Sequence, residues 1–279
     1  MAEVLVEKKR ILLVGGSGFI GRNIADHLAM DSYEVITPRT KEFWPAWDIH
    51  SQNDRMAILT KFAPVAVVNA GWCTKNRNYR ESPDNHLWSA STLELYREAA
   101  ISGVAQFISL GTFSETEGDI FSGDKSDISK YAEAKRNTLE SLIKLSQHIN
   151  LNFSWLKIGY PYGLYDKSDR LIPSMVHAVL HDISYEIKSP KTLLRPINVI
   201  DIAESVRQGI LGKMSKVSEI YGESTYSISE IYEMIVSFSS DPFKGDMLTP
   251  PLTDGPWRTQ IPFEEGIRRY ISWRRAQEL

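Results

Sequence analysis

The sequence contains very little cysteine: Cys73 is the only one in 279 residues. A single thiol excludes an internal disulfide, a metal centre built from several thiolates, and a Cys-x-x-Cys redox site. Of the six histidines, only His177 and His181 have the i,i+4 spacing that places two side chains on one helical face. Because the pair lacks the glutamate-containing zinc pattern, we assign no metal. The lack of disulfides suits a reducing cytoplasm.

A large excess of charge is missing as well. The chain has 32 Lys and Arg residues against 35 Asp and Glu residues, which gives a formal net charge of -3. It therefore has no overall positive field to attract nucleic acid or an anionic membrane surface. We expect neither nucleic acid nor a membrane as a partner, and an anionic ligand must be held by a local site.

Long hydrophobic runs are the third absence. No stretch reaches the roughly 18 apolar residues of a membrane-spanning helix. Residues 1–10 alternate charged and apolar side chains and do not form the apolar core of a secretion signal. With 42% hydrophobic and 24% charged residues, the composition is ordinary for a globular protein. The sequence therefore predicts a soluble, cytoplasmic enzyme or binding protein.

What the sequence does contain is an alternation of short apolar runs and helical patterns. We predict strands at 11–14, 34–37, 65–68, 104–110 and 153–158, and helices at 19–30, 52–62, 84–102 and 126–148. Such alternation is typical of a parallel β-sheet that is covered by helices on both faces. The predicted fold class is therefore α/β, with a Rossmann-type doubly wound parallel sheet.

Prolines interrupt this alternation after Gly159, and the change predicts a small C-terminal substrate-binding domain. We expect this domain to lie over the carboxyl edge of the sheet, where the architecture places its ligands. The predicted boundaries are 1–160 for the main domain, with 191–212 returning to it, and 161–190 together with 213–279 for the smaller domain.

A glycine-rich turn joins the first predicted strand to the first predicted helix. Gly15, Gly18 and Gly21 have the spacing Gly-x-x-Gly-x-x-Gly, and Gly16 with the last two also fits Gly-x-Gly-x-x-Gly. Because glycine has no Cβ atom, the backbone can approach a pyrophosphate closely, and the free N–H groups at the helix start stabilise its charge. Phe19 and Ile20 lie between the last two glycines and belong to the same predicted site. A merely tight turn is the alternative, but the position between a strand and an amphipathic helix favours dinucleotide binding.

The end of the second predicted strand bears on the choice between NAD and NADP. A carboxylate at this place usually binds the adenosine ribose of NAD, whereas a cation suits the 2′-phosphate of NADP. Here the chain reads Thr-Pro-Arg-Thr-Lys from residue 37 to 41, so Arg39 is available for charge-assisted hydrogen bonds to a phosphate. The sequence therefore favours NADP(H) over NAD(H), with a solvated surface arginine as the alternative.

Tyr131 and Lys135 are four residues apart in a predicted helix, so their side chains project from one face. A nearby ammonium lowers the pKa of a tyrosine and makes the phenol a usable proton donor or acceptor. The pair also arises by chance, but Thr112 follows the preceding strand at the carboxyl edge and can donate a hydrogen bond toward a carbonyl. The Thr112 hydroxyl, the Tyr131 phenol and the Lys135 ammonium are together the groups that hydride transfer to a ketone requires. Ser109 is expected to have a structural role.

The order of these motifs resembles the extended short-chain dehydrogenase/reductase family, and within it the nucleotide-sugar epimerases, dehydratases and 4-keto reductases. The resemblance runs from about residue 10 to residue 210. It rests on the glycine turn and on Asn69, Ala70, Gly71, Thr112, Tyr131 and Lys135. It implies that residues 69–71 contact the cofactor and that the substrate is a nucleotide sugar.

The same resemblance implies roles for single residues. Lys135 would also bind the nicotinamide ribose, and Asp48 would lie near the adenine. Tyr160, which occupies a position where the family often has asparagine, would lie beside the nicotinamide. The residues implied to contact the nucleotide sugar are Thr112, Ser114, Leu171 and Arg195, the last through its diphosphate.

The residues after Thr112 narrow the reaction within the family. Dehydratases carry Asp-Glu directly after this position, and epimerase-reductases that resemble fucose synthases carry a cysteine two positions after it. Phe113 and Ser114 occupy these places here. What remains is NADPH-dependent reduction of a nucleotide-linked 4-keto-6-deoxy sugar, which Arg39 favours, or an NAD-dependent 4-epimerisation. A non-catalytic NAD(P)-binding sensor is the alternative from another class, and retention of all three acid/base residues argues against it.

The resemblance also implies a homodimer, formed by the third and fourth predicted helices. We expect Leu93, Tyr96 and Leu139 on the outward faces of these helices. Trp72 and Trp88 could border the substrate, but tryptophans at the ends of strands and helices are usually part of the core. Both are therefore left outside the predicted site.

Overall fold

The computed structural model describes residues 8–38, 47–74, 78–117, 128–241, 243–245 and 257–277. The strands are β1 (Arg10–Val14), β2 (Glu34–Ile36), β3 (Ala66–Asn69), β4 (Gln106–Thr112), β5 (Asn152–Ile158), β6 (Tyr160–Tyr162), β7 (Leu193–Leu194), β8 (Pro196–Asn198), β9 (Val217–Ile220) and β10 (Tyr226–Ser227). The helices are α1 (Phe19–Met30), α2 (Gln52–Phe62), α3 (Asp84–Ile101), α4 (Ser114–Glu117), α5 (Lys130–Leu145), α6 (Leu171–Leu180), α7 (Val199–Ile210), α8 (Ile228–Phe238) and α9 (Phe263–Gln277), with a 3₁₀ turn at Tyr79–Glu81. Among the described helices, none combines the length and apolarity needed to cross a membrane. Arg39, on which the predicted cofactor preference depends, lies outside the described residues.

Six strands form one parallel sheet in the order β2-β1-β3-β4-β5-β9. Its register places Ile11 of β1 beside Val35 of β2 on one side and Ala66 of β3 on the other. The chain runs outward from β1 to β2 and then crosses back to β3, so the direction of winding reverses between β1 and β3. Such a reversal opens a crevice at the carboxyl ends of the two strands, where doubly wound sheets bind ligands. The predicted Rossmann-type α/β fold is confirmed.

Alternate residues of the central strands pack against opposite helical layers. Leu12 and Val14 of β1 face a core shared with α2, α3 and α5, whereas Ile11 and Leu13 face a core shared with α1 and α7. Because both faces of the sheet are covered, the buried strands read as continuous apolar runs in the sequence.

The sequence predicted Tyr96 and Leu139 on outward helix faces, and this prediction was wrong. Both side chains are buried in the core that α3 and α5 share with the sheet, and Leu93 packs against the same core. An amphipathic helix on a sheet turns its apolar stripe toward the sheet, so the expected faces were the wrong ones. The apolar side chains that these helices expose include Leu87 and Ile143. A homodimer stays a prediction from the family resemblance.

The smaller domain has a core of its own, built mainly from α6, α8 and α9. The largest fully buried side chains there are Tyr162 and Tyr270, which pack with Ile231 and Ile267. Two short strand pairs belong to this part of the chain: β6 runs parallel to β8, and β7 runs antiparallel to β10. Between these elements, α7 packs against the main sheet.

The strand β9 departs from the predicted domain boundaries. It pairs with β5 as the sixth strand of the main sheet, although residues 213–279 were all assigned to the smaller domain. The strand has four residues, lies at the sheet edge and buries only Ile220 fully. It therefore lacks the apolar run by which the buried strands were predicted, and the boundary at 212 was wrong for this segment.

Candidate active site

The glycine turn brings the end of β1 into contact with the end of β3. Gly15 has a φ of +83°, and a Cβ atom there would lie 2.7 Å from the carbonyl carbon of Ala70 and the nitrogen of Gly71. A Cβ atom at Gly21 would lie 2.1 Å from the Gly15 carbonyl oxygen, so the helix also packs directly on the turn. In the described part of the chain, no side chain caps the start of α1 at Gly18. The first N–H groups of the helix are therefore available to an anion.

Asn69 shapes the loop that faces this turn. Its buried side-chain amide donates to the Thr92 hydroxyl at 3.0 Å, and its side-chain oxygen accepts the N–H of Gly71 at 3.2 Å. Ala70 donates its own N–H to the carbonyl of Val14 at 3.0 Å. The side chain of Asn69 therefore holds the loop, and the backbone of residues 70 and 71 forms the wall of the crevice.

Thr112, Tyr131 and Lys135 are brought together as the sequence predicted. Thr112 is the last residue of β4, and its side chain is near enough to the Tyr131 hydroxyl to lower the pKa of that hydroxyl. Ser129 caps α5 by accepting the N–H of Ala132 at 3.3 Å, which sets Tyr131 in the first turn of the helix. One turn later, the buried Lys135 donates its ammonium to the carbonyl of Leu110 in β4 at 2.6 Å.

Trp72, which the sequence left outside the site, contacts both members of the acid/base pair. Its ring centre lies 3.8 Å from the Lys135 ammonium, and its ring packs edge-on against Tyr131 at 6.1 Å. Its indole N–H donates to the side chain of Asn85 at 2.7 Å, which fixes the ring. Tyr79 packs edge-on against Tyr131 from another side at 5.3 Å. The position of Trp72 directly after the Asn-Ala-Gly loop was the signal that could have placed it here.

Glu115 is a further residue that the sequence did not single out. It is only 3% exposed. One carboxylate oxygen accepts the N–H of Thr112 at 2.6 Å, and the other accepts the indole N–H of Trp155 at 3.1 Å. Gly111 makes this arrangement possible, because a Cβ atom there would lie 2.2 Å from the Trp155 nitrogen and 2.6 Å from the Glu115 oxygen. The spacing Thr-x-x-Glu predicts a capping box at the start of a helix, but not the burial of its glutamate.

The surroundings of Tyr131 raise the pKa of its hydroxyl. Burial raises the pKa of the hydroxyl above its usual range, and Tyr79 and Glu115 raise it further. The hydrogen bond with Thr112 and the positive charge of Arg80 lower it, but they do not compensate. The sequence predicted that the nearby ammonium lowers the pKa of Tyr131, and this was wrong for the structure, because burial of the hydroxyl raises the pKa.

Lys135 and Glu115 are linked in their protonation. Burial lowers the pKa of the Lys135 ammonium, and Glu115 opposes that shift. Burial likewise raises the pKa of Glu115, while the Thr112 N–H and the charge of Lys135 lower it. Each of the two buried groups therefore favours the charged form of the other.

The other residues predicted to contact the substrate have different surroundings. Arg195 donates from Nε to the carbonyl of Gly222 at 2.6 Å, and its guanidinium lies 3.7 Å from the ring centre of Tyr221. Leu171, the first residue of α6, packs against the core of the smaller domain. Ser114 begins α4, and its N–H approaches the Thr112 hydroxyl at 3.4 Å.

Tyr160 and Asp48 complete the predicted cofactor residues that the structure describes. The guanidinium of Arg170 lies 5.6 Å from the Tyr160 ring centre and 5.4 Å from that of Phe19 in α1. Arg170 is held by Asp166, whose carboxylate accepts its N–H at 3.0 Å. Tyr160 and Phe19, the first residue of α1, thus both lie beside Arg170. Asp48 is exposed, and its carboxylate accepts the N–H of His50 at 2.9 Å.

Two histidines meet at the end of α6. The ring centres of His177 and His181 are 4.3 Å apart. Across the described residues, no group of three or more His, Cys, Asp or Glu side chains is placed to hold a metal ion.

A family model matches residues 11–204, a span that begins in β1 and ends within α7. Its description is the NAD dependent epimerase/dehydratase family. The matched span contains the glycine turn, Thr112, Tyr131, Lys135 and Arg195.

Two curated relatives are similar over much of the chain. GDP-L-colitose synthase of Yersinia pseudotuberculosis is 28% identical over 204 residues, which are 66% of this chain and 63% of that protein. UDP-2-acetamido-2,6-beta-L-arabino-hexul-4-ose reductase of Pseudomonas aeruginosa is 21% identical over 233 residues, which are 82% of this chain and 57% of that protein. The matches thus span less than two thirds of the length of either relative.

Solved structures share the fold over nearly the whole chain. UDP-glucose 4-epimerase of Thermotoga maritima with UDP-glucose has a TM-score of 0.77 and 18% identity, and covers 97% of this chain and 100% of its own. GDP-mannoheptose C4 reductase of Campylobacter jejuni with NADP has a TM-score of 0.74 and 14% identity, and covers 96% and 98%. At these identities the likeness shows a common fold.

Proposed function

This chain belongs to the NAD dependent epimerase/dehydratase family, and we propose that it reduces a nucleotide-linked 4-keto-6-deoxy sugar at C4 with NADPH as hydride donor. The observation that carries the proposal is the cluster at the carboxyl end of β4, where Thr112 ends the strand and the Trp72 ring contacts both Tyr131 and the Lys135 ammonium. The buried Lys135 lies one helical turn away. These are the groups that a ketone reduction needs at the carbonyl oxygen.

The crevice between β1 and β3 fits a dinucleotide. The close approach of Gly15 to the backbone of residues 70 and 71 leaves a wall of main-chain atoms without side chains. The N–H groups of Phe19 and Ile20, at the start of α1, would hold the pyrophosphate. When bound, the nicotinamide supplies the hydride. The preference for NADP is proposed from Arg39, since a cation suits the 2′-phosphate.

Tyr131 is suited to give a proton in the reducing direction. As the carbonyl carbon accepts a hydride, its oxygen needs a proton, and the raised pKa keeps the phenol in the protonated form that can supply it. A 4-epimerase must first take a proton from a sugar hydroxyl, for which the resting tyrosine has to be ionised. The choice of reduction over epimerisation is proposed from Arg39, which suits the NADPH that a reductase consumes.

Thr112 and Arg195 have separate proposed tasks toward the substrate. The Thr112 hydroxyl can donate to the same carbonyl oxygen and stabilise the charge that develops there. Arg195 is proposed to bind the diphosphate. Its guanidinium covers Tyr221, whose ring packs edge-on against Phe113 directly after Thr112. The cation therefore lies on the same side of the molecule as the acid/base cluster.

The named activities of the relatives agree with this proposal. The Pseudomonas aeruginosa relative is called a reductase of a UDP-linked hexul-4-ose, and the relative from Yersinia pseudotuberculosis is called a synthase of a GDP-linked sugar. A nucleotide sugar with a 4-keto group is thus the substrate class that we propose. The alternatives are an NAD-dependent 4-epimerase and a non-catalytic NAD(P)-binding sensor.

The test is turnover on a panel of UDP-, dTDP-, GDP- and CDP-4-keto-6-deoxy sugars with NADPH, followed by nicotinamide absorbance and by mass spectrometry of the products. We expect one NADPH to be consumed for each sugar that gains two hydrogens. A change of sugar configuration without net loss of cofactor would establish the epimerase instead. No turnover on any member, with NADPH binding intact, would favour the sensor.

A further inference from the structure

Glu115 places a buried carboxylate directly behind the acid/base cluster. Its two oxygens are bound by different parts of the chain: the Thr112 N–H at the end of β4, and the Trp155 indole N–H in β5. Both contacts use the space that a side chain at Gly111 would fill. A carboxylate held from two sides at 3% exposure does not turn toward solvent.

A helix cap accounts for only part of this arrangement. In a capping box, a glutamate accepts the N–H of the threonine three residues earlier, as Glu115 does with Thr112. A cap does not require its carboxylate to be buried, and burial of a charge costs free energy unless a partner compensates it. The carboxylate therefore needs a positive charge nearby.

Lys135 is such a charge. It is 4% exposed, and its ammonium lies 5.6 Å from the ring centre of Trp155, the same residue that donates to Glu115. The carboxylate of Glu115 opposes the loss of the proton from Lys135. Lys135 has the Leu110 carbonyl and the Trp72 ring as its other close contacts, and neither carries a full charge.

Other charged or titratable groups act on the acid/base cluster and on Glu115 from two elements, β5 and the 3₁₀ turn. Lys157 of β5 acts on Glu115, while Tyr79 and Arg80 of the 3₁₀ turn act on Tyr131. Lys157 carries the same sign as Lys135 and cannot replace the carboxylate as its counter-charge.

We propose that Glu115 is a positioning residue for the acid/base cluster: it fixes the backbone of Thr112 and favours the charged form of the Lys135 ammonium. The role in catalysis rests on the proposed reduction, but the charge interaction exists without substrate. A charged Lys135 stabilises the phenolate that Tyr131 becomes when it gives up its proton. Glu115 would thus act on the reaction through Lys135, beside its direct effect of raising the pKa of Tyr131, and without touching the substrate.

The test is the titration of Lys135 itself. In the full chain labelled with [13C]lysine, the Lys135 signal is assigned by its loss in Lys135→Met and followed by NMR as pH changes. Glu115→Gln keeps the size of the side chain and an acceptor for the Thr112 N–H but removes the charge. We expect the pKa of Lys135 to fall by at least about one unit. A change below about 0.3 unit would overturn the proposal.

A second variant separates charge from packing. The amide of Glu115→Gln directs an N–H toward the indole N–H of Trp155, so the double variant with Trp155→Phe removes that mismatch. We expect the pKa of Lys135 to fall in the double variant as in the single one, and to stay unchanged in Trp155→Phe alone. If Trp155→Phe alone lowers it equally, packing is the cause and the proposal fails.

Activity provides an independent readout. In Glu115→Gln the alkaline limb of kcat against pH should move to lower pH, while KM for the sugar nucleotide changes less than about threefold. An equal loss of kcat at every pH would identify a structural cap and contradict the proposal. An inactive wild type would refute the proposed reduction. The inference on Glu115 would still be decided by the NMR titration, because that titration needs no turnover.

Discussion

Tyr131 and Tyr79 offer a direct comparison at the scale of single residues, because their rings pack edge-on at 5.3 Å. Tyr131→Phe removes the proposed proton donor and keeps the ring. We expect kcat to fall about 100- to 10,000-fold, the range of general acid catalysis, with NADPH affinity within about threefold of the wild type. Steady-state kinetics and fluorescence titration of NADPH measure the two quantities.

Tyr79→Phe is the matched control for that experiment. It removes a hydroxyl that raises the pKa of Tyr131 without touching the proposed donor. We expect kcat to stay within about tenfold of the wild type. Equal losses in the two variants would show that Tyr131 contributes through packing and not through its proton.

Arg39 decides the proposed cofactor preference, and the sequence alone carries this prediction. Arg39→Ser should weaken NADPH binding by about 10- to 100-fold, the value of a charge-assisted hydrogen bond to phosphate, and leave NADH binding unchanged. Fluorescence titration with both cofactors measures this. Arg10→Ser, at the amino end of β1 where Arg10 pairs with Glu34, is the matched control. An equal loss for NADPH and NADH would exclude contact with the 2′-phosphate.

From the sequence, only those site residues could be predicted whose spacing along the chain determines where they lie in the fold. Tyr131 and Lys135 follow from the helical period, and Thr112 from its place after a strand. Glu115 and Trp72 come close to Lys135 only when α4 and the loop after β3 fold over α5, and no local pattern encodes that packing. The burial of Glu115 is set by Gly111 and Trp155, which are 44 residues apart in the chain.

At the scale of elements, α1 and α7 are joined by a buried charged network. Glu204 of α7 accepts from His27 of α1 at 2.7 Å, and its oxygens also accept from Arg207 and Gln208 at 2.7–2.9 Å. Burial by itself would raise the pKa of Glu204, but these hydrogen bonds lower it to about 2. The network therefore stabilises the fold as long as Glu204 is ionised.

Glu204→Gln should lower the free energy of unfolding by about 3–5 kcal/mol at pH 7, because it removes the buried carboxylate that pairs with the buried Arg207 guanidinium. The folded pKa lies below the ordinary value of 4.5, so the wild-type advantage is complete above pH 4.5 and is lost as pH falls toward 2. Urea unfolding of both proteins between pH 7 and pH 3 measures the difference.

The exposed pair of Glu94 and Arg97 on α3 provides the control for this prediction. Glu94→Gln should change the free energy of unfolding by less than about 1 kcal/mol, because solvent screens a surface ion pair. If the effect of Glu204→Gln does not change with pH, the network is not stabilised by the ionised carboxylate.

The elements themselves were predictable to different degrees. The first five strands of the main sheet and the helices α1, α2, α3 and α5 were predicted within a few residues, because burial on both faces gives apolar runs and helices give a 3.6-residue period. The predicted helix at 126–148 is observed as Lys130–Leu145, and its residues 126 and 127 lie outside the described part. The short β6, β7, β9 and β10 have two to four residues each, too few for a pattern.

At the scale of the whole molecule, the crevice and the acid/base cluster lie along one edge of the sheet. The carboxyl ends of β1 and β3 form the proposed cofactor crevice, and the next strand, β4, ends in Thr112. The order of strands therefore places the proposed hydride donor beside the proposed proton donor. Neither the nucleotide nor the sugar follows from this arrangement, because both depend on segments after Gly159 without a recognisable motif.

The proposed reduction at C4 is tested most directly by following the hydride from NADPH to the sugar. The protein would be given NADPH that carries deuterium at both C4 positions of the nicotinamide, with the 4-keto sugar nucleotide that turns over, and the product would be examined by NMR. For a C4 reductase we expect one deuterium at C4 of the sugar for each NADPH consumed. A sugar of altered configuration that contains no deuterium, with NADPH unchanged, would contradict it.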